Sequence, residues 1–207
     1  MTKLIIIAGP QSSGKTTIFN HLEKNFSTFQ FLEEINPYTL IAKNHSGGAF
    51  INKDLELKLI NADFQVLINL NRRLLNYSKP IIMETGIFHL VYAEKFCGKK
   101  IANNFFYKYL TYHEKFDCKT IFFDTKPEIS WHRRYPNYLK RIKDQNRENN
   151  SFYILAKYQK TIYDLYPLWL KWYQKIPFEK VMIKNSFKTK KKFLQEVEEK
   201  IQEFLEK

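Results

Sequence analysis

Residues 9–16 read Gly-Pro-Gln-Ser-Ser-Gly-Lys-Thr and follow directly on the apolar run Leu4-Ile5-Ile6-Ile7-Ala8. A short β-branched run closed by glycine reads as a strand buried on both faces, the kind found inside a parallel sheet. From Thr16 onward, Ile18, Phe19 and Leu22 recur at helical spacing. The octapeptide therefore joins a strand to a helix, and it has the pattern G-x-x-x-x-G-K-[ST]. Its glycines permit a tight loop whose backbone N–H groups surround phosphate oxygens, and the helix N-terminus adds partial positive charge. In that setting Lys15 is expected to reach the β and γ phosphates of ATP, and the Thr16 hydroxyl to ligate Mg²⁺. Gly9, Pro10, Gln11, Ser12, Ser13, Gly14, Lys15, Thr16 and Thr17 form the expected ATP cradle.

Further strands are predicted at Phe29–Ile35, Pro80–Met83, Thr120–Phe123 and Val181–Ile183. Helical patterns separate them. One is a leucine-rich stretch after the loop His45–Gly48. Another runs from Phe88 to Leu110 with a break near Gly98, and two more cover Ser151–Tyr173 and Lys190–Phe204. Strands alternating with helices imply βαβ crossovers, a parallel sheet and helices on both faces. Ligands in such sheets sit at the carboxyl ends of the strands. Gly9–Thr16, Glu33, Glu34, Glu84 and Asp124 are placed there.

The 207 residues suffice for one core and a small lid. Apolar and aromatic residues continue to the C-terminus, which excludes a disordered or collagen-like chain. The net charge is +13, from 34 Lys and Arg against 21 Asp and Glu. Only six of the 34 are Arg, and four of those lie between 133 and 147. The scattered Lys read as a solvated surface, whereas clustered guanidinium groups suit bidentate phosphate recognition. Cys97 and Cys118 have no metal-binding spacing and read as reduced thiols. The N-terminal apolar run is too short for a signal peptide, and no stretch reaches the ~18 apolar residues of a membrane span. A cytoplasmic protein without membrane contact is expected. No Asn-Lys-x-Asp segment that would read guanine is present, which disfavours a GTPase.

Taken together these segments resemble the deoxynucleoside kinases and the wider thymidylate-kinase-like group of P-loop kinases. The resemblance implies an α/β, three-layer P-loop NTPase fold: a five-stranded parallel sheet with helices on both faces and an Arg-rich lid at about 128–150. It implies a base toward the substrate hydroxyl at the end of the second strand, where Leu32-Glu33-Glu34-Ile35 stands and Glu34 aligns best. A carboxylate there can accept the proton as phosphoryl transfer proceeds. At the end of the third strand the family has an acid followed by Arg. Here Glu84 keeps the acid, as a candidate ligand for Mg²⁺ directly or through water, and Thr85 replaces the Arg, with His89 a candidate to compensate. The family's lid pattern R-I-x-x-R-x-R is matched by Arg141-Ile142-Lys143-Asp144-Gln145-Asn146-Arg147, with Gln145 at the middle Arg, and Arg133 and Arg134 are further lid charges upstream and ATP-binding candidates. Where the family reads the base with a Gln, only Asn52 offers an amide. Tyr38, Phe50, Phe64 and Tyr92 are either base-stacking or core residues.

The leading expectation is an ATP- and Mg²⁺-dependent phosphotransferase acting on a small nucleoside-like acceptor. Lys15, Glu34, Arg141 and Arg147 are the catalytic candidates, with Glu33, Tyr38, Phe50, Asn52 and Glu84 facing substrate. Alternatives within the enzyme class are a nucleoside monophosphate or another metabolite as acceptor. A regulatory or nucleic-acid-associated ATPase is the runner-up, kept open by the net charge and by Thr85. A homodimer is compatible with the sequence.

Overall fold

The structure is a computed structural model, and it describes residues 1–34, 51–73, 79–185 and 189–206. Five strands form one sheet: β1 Thr2–Ala8, β2 Gln30–Leu32, β3 Ile81–Glu84, β4 Phe116–Asp124 and β5 Glu179–Lys184, in the order β2-β3-β1-β4-β5 and all parallel. Seven helices surround them among the described residues. They are α1 Lys15–Asn25, α2 Lys53–Arg73, α3 Leu90–Cys97, α4 Lys99–His113, α5 Pro127–Asp144, α6 Ser151–Lys175 and α7 Lys190–Glu206. A 3₁₀ turn, Gly86–His89, links β3 to α3.

β1 shows why the sheet is sandwiched. Its alternate side chains point to opposite faces. Leu4, Ile6 and Ala8 enter a core shared with α2, α3, α4 and α6, which includes Phe88, Trp169 and Trp172. Ile5 and Ile7 enter the other core, built with Ile18, Phe19 and Leu22 of α1 and Phe193, Val197 and Ile201 of α7. The break expected near Gly98 separates α3 from α4.

Two strands differ from expectation. β2 stops at Leu32 rather than Ile35, because it is an edge strand paired only with β3, from Gln30↔Ile81 to Leu32↔Met83. β4 begins at Phe116 rather than Thr120, because all of β1 pairs with it from Thr2↔Phe116 onward. The basic stretch after β4 is helix α5, with Pro127 in its first turn. It lies against α6 on a small core of its own, Tyr138, Ile142, Ile154, Tyr158 and Ile162, in which the Tyr138 and Tyr158 rings stack at 3.9 Å.

Some of the lysines expected on a solvated surface close helix ends instead. Lys3 and Lys119 both donate to the Phe204 carbonyl near the end of α7, at 3.1 and 2.9 Å. Lys180 donates to the carbonyls of Tyr173, Gln174 and Ile176 at the end of α6. Cations satisfy the orphan carbonyls of a helix C-terminus and complement its dipole.

His113, at the end of α4, is fully buried, with Nδ1 2.8 Å from the Tyr109 carbonyl and its ring stacked on Phe178. Burial pushes its pKa down to about 4 against a partial upward pull from the Tyr109 carbonyl. The folded state therefore holds the neutral ring, while the unfolded chain takes up a proton below the ordinary value of about 6.5. Its contribution is complete above pH 6.5 and is lost as pH falls toward 4. The linkage amounts to about 2 kcal/mol between pH 7 and pH 5. Denaturant unfolding at those two pH values should show a decline that is smaller by about that amount in His113→Phe.

Candidate active site

The carboxyl ends of β1, β3 and β4 lie side by side, with Ile7 paired to Glu84 and Ala8 to Phe122. The segment 9–14 leaves β1 at this edge. Gly9 has φ 152°, and a Cβ there would stand 2.6 Å from the Phe123 carbonyl oxygen. Gly14, with φ 98°, opens α1 against Phe193 and Asn185. Both positions require glycine, so the loop is built as its motif demands.

Three carbonyls of the loop are tied from outside. Ser130 Oγ donates to Gln11 O at 2.7 Å, Arg133 Nη1 to Ser12 O at 3.1 Å, and Asn185 Nδ2 to Ser13 O at 2.5 Å. Lys15 is buried, and its ammonium donates to the carbonyls of Gly9 at 2.9 Å and Pro10 at 3.3 Å, 5.5 Å from the centre of the Trp169 ring. Thr16 Oγ1 donates to Glu84 Oε1 at 2.9 Å, and the Glu34 backbone N–H donates to the same carboxylate. The phosphate loop and the end of β2 thus meet on Glu84. Burial, with help from the Glu34 charge, raises the Glu84 pKa, while Lys15 and Thr16 pull it back.

Glu34 is half-buried, and its charge acts on Glu84, Tyr92, His89 and Asp63, whereas Glu33 is exposed. The structure thus brings Glu34 into the site and leaves Glu33 outside it. Asn52 is not brought in either: its Oδ1 accepts from Leu55 N at 2.9 Å as the cap of α2, on an exposed turn. Tyr38 and Phe50 lie outside the described residues. Phe64 is core, packed edge-on against Phe105 and Tyr112. Tyr92 is half-buried beside Trp169, and its hydroxyl is 3.4 Å from Gln11 Nε2. Asp124, at the end of β4, accepts from the Tyr166 hydroxyl at 2.8 Å.

Sequence reasoning missed Glu56 and Asp63, which α2 carries into this region. Glu56 is fully buried with its carboxylate 3.1 Å from His89 Nε2, and Asp63 accepts a short hydrogen bond from Tyr109. Burial raises the Asp63 pKa to about 6, against the opposing pull of His89 and Tyr109. The signal was available: Glu56 and Asp63 are seven residues apart on the same stripe of α2 as Ile60 and Leu67, which are buried in the core.

The arginines divide. Arg133 reaches the phosphate loop and also touches Asn185 O at 3.3 Å. Arg134 lies over the Tyr138 ring and acts electrostatically on Tyr92. Arg141 is one turn beyond Tyr138, on the same side of α5, and Arg147 follows the end of α5. Among the described residues no helix is long and apolar enough to cross a membrane.

A parallel sheet, a strand-to-helix phosphate loop with a buried lysine, and an acid at the end of the neighbouring strand define a P-loop phosphotransferase. The deoxynucleoside kinase family profile matches residues 5–206, and the chain belongs to that family. It is an ATP-dependent kinase with a nucleoside acceptor. A search of curated proteins by sequence finds no match. Among solved structures the chain is similar to deoxyadenosine kinase from M. mycoides with bound dATP, at TM-score 0.56 and 15% identity over 96% of this chain and 99% of that one. It is similar to the YorR protein from Bacillus subtilis in complex with phosphorylated GDP, at TM-score 0.58 and 15% identity over 97% and 96%. It is also similar to a tRNA isopentenylpyrophosphate transferase from Bacillus halodurans, at TM-score 0.58 and 11% identity over 100% and 97%. At these identities the likeness is one of fold.

Proposed function

We propose that the chain transfers the γ-phosphoryl group of ATP to a hydroxyl of a deoxynucleoside, with Glu34 as the group that accepts the hydroxyl proton. The observation that carries this reading is the chain of contacts from Thr16 through the Glu84 carboxylate to Glu34. That contact brings the backbone of Glu34 beside the phosphate loop, which supports a role for its carboxylate near the path of in-line attack. Lys15 exchanges its Gly9 and Pro10 carbonyls for phosphate oxygens. The loop residues from Gly9 to Thr17 hold the triphosphate.

A hydroxyl and a carboxylate 2.9 Å apart beside the loop fit Mg²⁺, a hard cation that takes one or two protein oxygens and completes its shell with phosphate and water. Thr16 and Glu84 would hold it. When bound it neutralises charge on the β and γ phosphates.

Helix α5 and the turn that leads into α6, at about 128–150, serve as the lid. Arg133, Arg134, Arg141 and Arg147 are its cations, and Arg133, already on the loop, is the one we assign to the transferred group. Arg133→Ala should slow turnover by about 10²-fold or more while changing the ATP affinity little. Arg141→Ala combined with Arg147→Ala should act in the same direction. Steady-state rates set against ATP binding check both, and an unchanged turnover would remove the lid assignment. We place the reaction in the cytoplasm, where ATP and free thiols such as Cys97 and Cys118 coexist.

The direct test is ADP release from ATP with each deoxynucleoside and ribonucleoside in turn. Release that depends on a nucleoside supports the reading. Turnover indifferent to nucleosides but stimulated by DNA or RNA in a salt-sensitive manner would replace it with a nucleic-acid ATPase.

A further inference from the structure

Lys15 carries an ammonium held almost out of water, at 8% exposure. A buried ammonium must find partners for its three N–H groups. The Gly9 and Pro10 carbonyls accept at 2.9 and 3.3 Å. Both belong to the loop that phosphate oxygens enter, and in the proposed reaction both are given up when the triphosphate arrives. A third neighbour comes from a distant part of the chain. The ammonium lies over the Trp169 ring of α6, 5.5 Å from its centre. A cation within about 6 Å of an indole face is attracted by the ring quadrupole, most strongly where water is excluded.

Trp169 cannot follow the lysine when it moves. Its ring is fully buried, stacked on Phe88 at 5.9 Å, edge-on to Tyr92 at 5.8 Å and against Phe122 at 6.3 Å. The 3₁₀ turn, α3 and β4 therefore all hold it. The indole is also an expensive choice for this position. Among the described residues its Nε1 is buried without an acceptor, whereas a buried indole ordinarily finds one. A phenyl ring would fill an apolar core and leave no donor unmet. What the indole adds is a more electron-rich face, and the cation over that face is Lys15. Trp172, three residues on, is the internal comparison. It is equally buried and its Nε1 also lacks an acceptor, but the cations over it are Lys171 and Lys175, which bond to Glu94 and Asn103 and not to the loop.

We propose that Trp169 is a positioning residue for Lys15, its π face keeping hold of the ammonium while the loop carbonyls are exchanged for phosphate oxygens. The inference rests on the phosphate-loop reading of residues 9–17. The lysine then pivots about a fixed aromatic point instead of swinging on a free four-carbon stem, so less ordering remains when the β and γ phosphates arrive. The same helix carries Ile154, Tyr158 and Ile162 of the lid core near its other end. One element thus seats the lid and supports the lysine.

Two measurements test the proposal. The first grades the electron density of the ring and leaves its shape almost unchanged. Trp169 is replaced by 5-fluoro-, 5,7-difluoro- and 5,6,7-trifluorotryptophan through nonsense suppression. The Kd of a non-hydrolysable ATP analogue, read by calorimetry, should rise at each step, to about five- to tenfold in the trifluoro protein. The same series at Trp172 should leave that Kd unchanged. A flat series at Trp169 would mean a merely structural ring. Tighter binding with each fluorine would mean that the ring competes with the nucleotide for the lysine. Either result overturns the proposal. The second measurement needs no substitution. In the wild-type protein the NMR signals of the Lys15 Cε methylene should be moved upfield by the indole ring current, and should stay so when the analogue saturates the loop. Signals that return to ordinary lysine positions on saturation overturn the proposal. A wild-type protein that binds no ATP analogue would instead defeat the phosphate-loop reading, and the positioning role with it.

Discussion

Glu34→Gln should lower nucleoside phosphorylation by about 10²- to 10⁴-fold while leaving ATP-dependent thermal stabilisation in place. The amide keeps the size of the carboxylate but cannot take up a proton. Glu34 is half-buried, its charge acts on Glu84, Tyr92, His89 and Asp63, and its backbone N–H contacts Glu84, so the substitution should act on the chemical step rather than on the scaffold. Glu33→Gln is the matched control, since that side chain is exposed, and it should change turnover less than twofold. A Glu34→Gln protein that loses ATP stabilisation to the same extent as turnover would move Glu34 from catalysis to folding.

The second large effect belongs to Lys15. A ligand present at 100 times its Kd stabilises the folded state by about 2.7 kcal/mol. For a chain of this size that is a rise in Tm of about 5–10 °C. In Lys15→Ala the rise should vanish, because the ammonium that answers the β and γ phosphates is gone. The variant should also start from a lower Tm without ATP, since the Gly9 and Pro10 carbonyls lose their donor and Trp169 loses the cation beside it. Leaving such groups without a partner costs about 1–3 kcal/mol. The difference between melting curves with and without ATP separates the two losses, and an undiminished difference would refute the phosphate-loop assignment.

The phosphate loop was legible because its chemistry is local. Eight consecutive residues specify the strand exit, the two glycine conformations and the helix start, and no distant contact can change their order. β1, β3, β4 and β5 were legible as apolar runs for the same reason. The extent of β2 was not, because a strand ends where its neighbour ends, and β3 has only four residues. The acceptor side was legible only in part. His89 stood out beside Thr85, and Glu56 and Asp63 fall on the inward stripe of α2, but that Glu56 meets His89 depends on how α2 is laid across the 3₁₀ turn. The lid shows a subtler gap. The motif pointed to Arg141 and Arg147, with Arg133 and Arg134 as further phosphate-binding charges, and of these it is Arg133 that holds the loop. Arg133 and Arg141 are eight residues apart on one helix, about 12 Å along its axis, so which guanidinium meets the phosphates depends on how α5 is seated and not on the spacing of the arginines.

The three tethered carbonyls of the loop bear on how quickly ATP can be captured. Peptide planes 11–13 are held by their oxygen ends through Ser130, Arg133 and Asn185, which lie on α5 and just beyond β5. Their dipoles are oriented when the protein folds rather than when the nucleotide arrives, so the ordering cost is already met before the encounter. The association rate for ATP is then set at positions more than a hundred residues downstream of the motif. Changes at Ser130 or Asn185 would slow capture without touching any atom of the nucleotide.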